Sequence, residues 1–305
     1  MPPPTGGGQS MPRASSVVPD PVYNDARRQG GDRHVIRERL VHSGPLVSLA
    51  WYDHPPDRPH RDPAEEVSSH HAVSFVERGR FDLYHGGRRW RMDAATLFVT
   101  HPGLRYRCTH VGPIPDDVSF SVHYSPELID ELQATIGCRW KRRVPAAALT
   151  NRLAYLRHRL ATTAASGEAA MAVTTLAGEL LVELGDAADP GPSRLFSAGQ
   201  VARYTRRVEA ARELLSERYA LPHTLEGTAR AVGMSPFHFS RMFRQMIGVP
   251  PHRYLVQVRL KRAAQRLGEG AGVTEACYAV GFGNLSHFIR SFRRAYGVRP
   301  SRYRH

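Results

Sequence analysis

Hydrophobic and polar residues alternate with a period of two in the first part of the chain, roughly from His34 to Tyr124. Because successive side chains of a strand point to opposite faces, this pattern predicts about seven short strands. Such a series favours an all-β sandwich or barrel. The predicted strands are Leu46–Tyr52, Val73–Arg78, Phe81–His85, Arg88–Met92, Thr96–Thr100, Arg105–Thr109 and Val118–Tyr124.

The period becomes helical between Pro126 and Gly185, where leucines recur every three or four residues. Two or three helices fit this stretch. An apolar stripe on a helix can cover the β-domain or pair two subunits, and the pattern leaves both interpretations open. The leucines are Leu128, Leu132, Leu149, Leu153, Leu156, Leu160, Leu176, Leu180, Leu181 and Leu184.

Glycine and proline mark the boundaries between regions. Residues 1–30 are rich in Pro, Gly and Ser and read as a disordered tail. Four prolines between Asp53 and Ser69 predict a loop. Residues 186–200 again break the helical pattern and read as a linker. The predicted organisation is therefore a β-domain over 31–125, a helical and possibly subunit-pairing segment over 126–185, and an all-helical domain over 201–305.

The C-terminal domain contains a duplication. Val232-Gly233 matches Val280-Gly281 at an offset of 48 residues. Five further residues of the first copy match the second at an offset of 49, so the second copy has one extra residue near Gly283. These pairs are Phe239 with Phe288, Arg241 with Arg290, Phe243 with Phe292, Gly248 with Gly297 and Tyr254 with Tyr303.

Each copy has the pattern of two helices joined by a glycine turn. In the first copy Thr224 caps a short helix, Gly233 makes the turn, and Ser235 and Pro236 begin a second helix. One side of that helix is predicted to be buried and the other exposed. The buried side consists of Phe239, Met242, Phe243 and Met246, and the exposed side of Phe237, Ser240, Arg241 and Arg244.

The second copy repeats this arrangement, with Gly281 at the turn and Asn284 as the predicted cap. Pro251–Leu267 is predicted as a long helix that holds the two copies at a fixed separation. A short helix with an arginine face suits a major groove, because Arg can donate two hydrogen bonds to guanine. In the second copy Phe288, Phe292 and Tyr296 are predicted to face inward, with Ser286, His287, Arg290, Arg293 and Arg294 outside.

Charge strengthens the interpretation as a DNA-binding domain. The net charge is +14, from 42 basic and 28 acidic residues. Residues 201–305 hold 19 of the basic and 6 of the acidic residues, which leaves 23 and 22 for residues 1–200. Nearly all of the excess therefore lies in the duplicated region, where it would attract a polyanion.

Other classes of site are poorly supported by the sequence. Three widely spaced cysteines without a CxxC pair argue against structural zinc and fit a reducing compartment. The sixteen histidines show no metal-binding spacing. No signal-like opening or membrane-length apolar run is evident, so we expect a cytoplasmic protein that has no membrane partner, no cofactor, no metal and no catalytic residues. A metal-dependent barrel enzyme and a non-specific architectural DNA binder remain alternatives.

The last hundred residues closely resemble the DNA-binding domain of AraC/XylS-type bacterial transcription regulators. The segment GFGNLSHFIRSFRRAYGVRPSRYR, residues 281–304, resembles that family's signature. The resemblance implies recognition helices over Ser235–Ile247 and Asn284–Ala295. It places base-facing positions at Phe237, Ser240, Arg241, Leu285, Ser286, His287 and Arg290, of which Leu285 is implied by the resemblance alone.

Residues 71–110 more loosely resemble the cupin-like sensor domain that many of these regulators carry. The sequence departs from that pattern at 92–95, where MDAA replaces the Pro-Gly-Asp that often precedes the next strand. The implied fold is an α+β multidomain protein, with an N-terminal cupin-like β-barrel, a helical segment, and two helix-turn-helix motifs in an all-α C-terminal domain. The implied partners are double-stranded promoter DNA, a small-molecule effector, a second copy of the chain, and RNA polymerase if the protein is an activator.

Overall fold

Ten strands form two antiparallel sheets in the N-terminal part of the described chain. The computed structural model describes residues 36–53, 65–110, 116–136, 145–167, 169–185 and 195–303. One sheet has the order β1-β2-β9-β4-β7-β10 and the other β3-β8-β5-β6. The strands are β1 Arg37–Ser43, β2 Val47–Asp53, β3 Glu66–Val67, β4 His71–Arg78, β5 Phe81–His85, β6 Arg88–Met92, β7 Thr96–Thr100, β8 Arg105–His110, β9 Val118–Tyr124 and β10 Ala146–Ala148.

The predicted fold class, mixed α+β with a β-rich N-terminal domain, is confirmed, and four predicted strands have the predicted bounds: β5, β6, β7 and β9. Two predictions are corrected. β3 interrupts the predicted loop of 53–69 and pairs with β8. β10 lies inside the segment predicted as helical, where three buried alanines pair with β7 at the sheet edge. Alanine favours helix locally, and the unpaired edge of β7 overrides that preference.

Alternation along the strands separates two cores. On one face of the six-stranded sheet, side chains such as Phe75, Leu97 and Phe120 pack against helices. On the other face, Val76 and Phe98 pack against the four-stranded sheet, where Leu83 and Met92 lie. The first core continues into the C-terminal domain, and we call it the main cluster.

Three helices cover the outer face of the six-stranded sheet: α1 Pro126–Ile136, α2 Asn151–Ala165 and α3 Ala170–Gly185. Most of the leucines of the predicted stripe are buried in the main cluster, and Leu132 and Leu149 are partly buried against it. The stripe is therefore covered from within the chain. Pairing of subunits through this segment remains a prediction, and it would have to use other side chains.

The C-terminal domain is helical. Its elements are α4 Ala198–Glu217, α5 Leu225–Ala231, α6 Pro236–Ile247, α7 Pro251–Gly268, α8 Val273–Ala279, α9 Leu285–Tyr296 and a 3-10 turn Pro300–Arg302. The predicted tail at 1–30 and most of the predicted linker lie outside the described residues. None of the described helices has the length and apolar character needed to cross a bilayer.

Candidate nucleic-acid interface

The first helix-turn-helix unit, α5 and α6, is built from caps and a glycine turn. Thr224 Oγ1 accepts a hydrogen bond of 3.0 Å from Gly227 N at the start of α5. Gly233 has a φ of 65°, a conformation that glycine adopts without strain. Ser235 Oγ accepts from His238 N at 3.4 Å and caps α6, with Pro236 in its first turn. These local features set the position at which the second helix of the unit begins.

The two sides of α6 are buried and exposed as their spacing predicts. Phe239, Met242, Phe243 and Met246 are fully buried. Phe237 is 79% exposed, Arg241 and Arg244 are exposed, and Ser240 is half-buried. The structure brings these last four side chains together around one shallow depression, which Gln245 and Gly248 complete. Gln245, one helical turn beyond Arg241, is a lining residue that the sequence analysis missed.

The second unit, α8 and α9, repeats the design. Asn284 Oδ1 accepts from His287 N at 2.8 Å and caps α9. Phe288 and Phe292 are buried, and half-buried Tyr296 stacks on Phe292 with ring centroids 4.6 Å apart. The exposed side chains of α9 are Ser286, His287, Arg290, Arg293 and Arg294.

Two of the predicted α9 residues also contact the protein. Leu285 is half-buried and packs against the buried side chains of α7, α8 and α9, so only part of its side chain is open to a ligand. His287 is exposed, its ring lies 5.7 Å from that of Phe282, and its Nε2 lies 3.5 Å from Ser291 Oγ. These contacts would hold the imidazole near the start of α9.

The arginines of the exposed faces have no carboxylate partner within the described part of the chain. The ion pairs found there involve other basic residues, most of them in the β-domain or on α2. A guanidinium without an intramolecular partner keeps its five donors available for phosphate or base edges. The set comprises Arg241, Arg244, Arg290, Arg293 and Arg294.

The two units meet at the loop that follows α4. A Cβ on Gly281, the turn glycine of the second unit, would lie only 2.5 Å from the carbonyl oxygen of Ala220. Arg259 of α7 holds the same loop by donating to Tyr219 O at 2.7 Å and Leu221 O at 2.8 Å. Burial lowers the pKa of Arg259 from its usual value. This loop joint connects the first unit to the second.

Known proteins resemble this part of the chain. A family model described as a helix-turn-helix domain matches residues 228–305. The transcriptional regulator Rv1931c of Mycobacterium tuberculosis is 36% identical over 83 residues, which are 27% of this chain and 32% of that protein. The C-terminal domain is an AraC-type helix-turn-helix domain.

Other relatives match a similar share of the chain. The bifunctional transcriptional activator and DNA repair enzyme Ada of Escherichia coli is 33% identical over 84 residues, 28% of this chain and 24% of Ada. A probable AraC family transcriptional regulator from Rhodopseudomonas palustris is 31% identical, covering 32% of this chain and 92% of that structure with a TM-score of 0.30. The chain thus spans about a quarter to a third of the length of the curated relatives it matches.

A second group of polar side chains lies in the N-terminal domain, on the face of the six-stranded sheet opposite the helices. The Tyr52 hydroxyl donates to Glu38 Oε1 at 2.8 Å and lies 3.1 Å from His123 Nε2. The hydroxyls of Ser74 and Ser121 are 2.7 Å apart on the neighbouring strands. Within the described ranges, no three His, Cys, Asp or Glu side chains are grouped so that they could hold a metal ion.

Proposed function

We propose that this protein is a sequence-specific DNA-binding transcription regulator that reads two adjacent major-groove segments with α6 and α9. The observation that carries the proposal is the pair of capped helices, each presenting on its exposed face arginines that have no carboxylate partner among the described residues. The basic excess of the last third supports it, because phosphate neutralisation would add affinity for any duplex. Unlike the bifunctional relative, this chain is proposed to have no catalytic activity.

Direct base reading is assigned to Arg241 and Arg290, which occupy equivalent positions in the two units. Each lies in the first half of its helix, the part that contacts base edges when such a helix enters the groove. The proposal requires both arginine faces to meet the same side of the duplex, where successive major-groove segments are about 34 Å apart. The remaining proposed contacts are Phe237, Ser240, Arg244, Leu285, Ser286, His287, Arg293 and Arg294.

The N-terminal domain is proposed to bind a small-molecule effector. The polar face that carries Tyr52, Ser74, Ser121 and His123 supports this role, because hydroxyl and imidazole groups on an otherwise apolar sheet can orient a polar ligand. Because its proposed target is promoter DNA, the protein is also proposed to be cytoplasmic. A second copy of the chain, and RNA polymerase in the case of activation, complete the proposed partners.

The test uses a duplex that the full chain selects from a randomised pool. We expect Arg241→Ala and Arg290→Ala each to weaken binding to this duplex by about 1–3 kcal/mol, with a smaller effect on a scrambled duplex. Arg253→Ala is the matched control, because it removes an exposed arginine of α7 outside both faces. Gel-shift titration at fixed salt measures all three.

Wild-type affinity in both recognition-helix variants would refute the assignment of Arg241 and Arg290 as the residues that contact bases. A ratio near one between selected and scrambled duplexes for the unaltered protein would instead identify a non-specific architectural binder.

A further inference from the structure

An arginine of the N-terminal half reaches the end of the first recognition helix. Arg152, in the first turn of α2, donates from Nη1 to the carbonyl oxygen of Met246 at 2.9 Å. Its Nε donates to Glu183 Oε2 on α3 at 2.7 Å, and its Nη2 lies 3.8 Å from Glu179 Oε2. The guanidinium therefore bridges a carboxylate of the N-terminal half and the last turn of α6.

The chemistry of this contact suits a positioning role. The last carbonyls of a helix have no partner within the helix, and a cation there also opposes the negative end of the helix dipole. Arginine can bind two acceptors at once because its donors are fixed in a planar fork. At 21% exposure, the Arg152 side chain is shielded from the water that would otherwise compete for both acceptors.

A second contact holds α2 against α4 beside the first unit. Glu209 of α4 accepts hydrogen bonds from Tyr155 and Arg159 of α2. Arg212 donates both to Glu209 at 3.0 Å and to the Tyr155 hydroxyl at 3.0 Å. Burial raises the pKa of Tyr155 to about 12, so its hydroxyl keeps its proton further into the alkaline range than an ordinary tyrosine does. The helix that carries Arg152 is thus fixed at two places on the C-terminal domain.

Among the residues that the structure describes, the second unit has no such attachment to the N-terminal half. The buried side chains around α9 belong to a separate second cluster, and among the described residues they all come from position 260 onward. By contrast, the buried side chains of α6 share the main cluster with α2, α3 and the six-stranded sheet. The two recognition helices, α6 and α9, therefore differ in their connection to the N-terminal domain.

We propose that Arg152 is a positioning residue through which the N-terminal domain sets the orientation of α6, and hence the reading of one half-site but not of the other. This inference rests on the proposed function, since it concerns the same two recognition helices. It assigns to α2 and α3 a role in controlling which half-site is read accurately.

The experiment selects duplexes from a randomised pool with the full chain and compares base preferences at the two half-sites. Arg241→Ala and Arg290→Ala first identify which half-site belongs to α6 and which to α9. We expect Arg152→Ala to weaken preference at the α6 half-site alone and to lower affinity for the wild-type duplex about tenfold, which corresponds to roughly 1.4 kcal/mol.

Arg157→Ala is the matched control. Arg157 lies on the same helix and pairs with Glu77 of β4, so its loss removes an ion pair between α2 and the sheet without touching α6. We expect this variant to select the wild-type sequence. Arg152→Lys retains the charge and most of the aliphatic stem but not the fork, so it tests the same effect if the alanine variant fails to fold.

Equal loss at both half-sites, or unchanged preference at both, in a folded Arg152 variant would overturn the positioning role while leaving the proposed function intact. Failure of the unaltered protein to select any two-part sequence would overturn the proposed function itself, and this inference with it.

Discussion

The two helix-turn-helix units have the same local architecture and different surroundings. In both, a polar side chain caps the recognition helix and a left-handed glycine ends it, with φ values of 87° at Gly248 and 74° at Gly297. However, Phe239 and Phe243 belong to the main cluster, whereas Phe288 and Phe292 belong to the second cluster. A repeated sequence pattern thus fixes the local structure of each recognition helix, while the neighbouring elements decide which part of the protein that helix is coupled to.

The largest loss of stability is expected when a buried phenylalanine of either unit is truncated. Phe239→Ala and Phe288→Ala should each cost about 3–5 kcal/mol, because both create a cavity at a fully buried site. All three tryptophans lie within the first 140 residues, so their fluorescence reports the N-terminal half. In urea we expect Phe239→Ala to shift both the fluorescence and the helical circular-dichroism transitions, and Phe288→Ala to shift the second alone.

The contrary result for these variants is a fluorescence transition that moves as far in Phe288→Ala as in Phe239→Ala. The two clusters would then unfold as one cooperative unit, and α6 and α9 would not differ in their coupling to the N-terminal domain.

A smaller effect separates the two turn glycines. Both have positive φ, which costs an alanine about 1–2 kcal/mol. Gly233 has open space where a Cβ would go, whereas at Gly281 the Cβ would meet the Ala220 carbonyl oxygen at 2.5 Å. We expect Gly233→Ala to cost only the conformational term and Gly281→Ala about 3 kcal/mol, since the clash must be relieved by backbone movement.

Urea unfolding followed by circular dichroism compares these two glycine variants. Equal losses of stability would show that the loop joint yields easily and does not hold the units together.

The smallest expected effect concerns the first helix of each unit. Thr224 caps α5 with its side chain, whereas Gly272 begins α8 without a side-chain hydrogen bond. Thr224→Ala should therefore cost about 1 kcal/mol, while Gly272→Ser should gain a few tenths, roughly 0.3 kcal/mol. Thermal unfolding of both variants checks the signs, and a loss of stability in Gly272→Ser would contradict the account of the α8 cap.

The local structure of both readers could be predicted from the sequence, because caps, turn glycines and apolar spacing act over a few residues. Ser235, Gly233 and Asn284 occupy the predicted roles, and the bounds of α6 and α9 follow from them. The strands with clear alternation were predictable for the same reason. In contrast, β10 depends on the edge of β7, about fifty residues away, and alanine alone carries no signal for it.

Contacts between distant segments could not be predicted. Arg152 has no motif around it, and its role depends on a carbonyl 94 residues later. The leucine stripe on α2 and α3 left two interpretations open, because an apolar helix face has the same pattern whether it covers a sheet or a second subunit. Only the tertiary structure shows that the sheet of the same chain covers it.

The loop joint at Ala220 and Gly281 has an evolutionary consequence. The close approach is between main-chain atoms and the loop is held by the Arg259 side chain, so the joint demands glycine at 281 and places no requirement on the exposed side chains of α6 and α9. Substitutions on the exposed faces of α6 and α9 can therefore change which bases each reader prefers without altering the geometry between the readers. Descendants of such a protein would keep the same spacing between the two half-sites of the operator and diverge in the base sequence that each half-site requires.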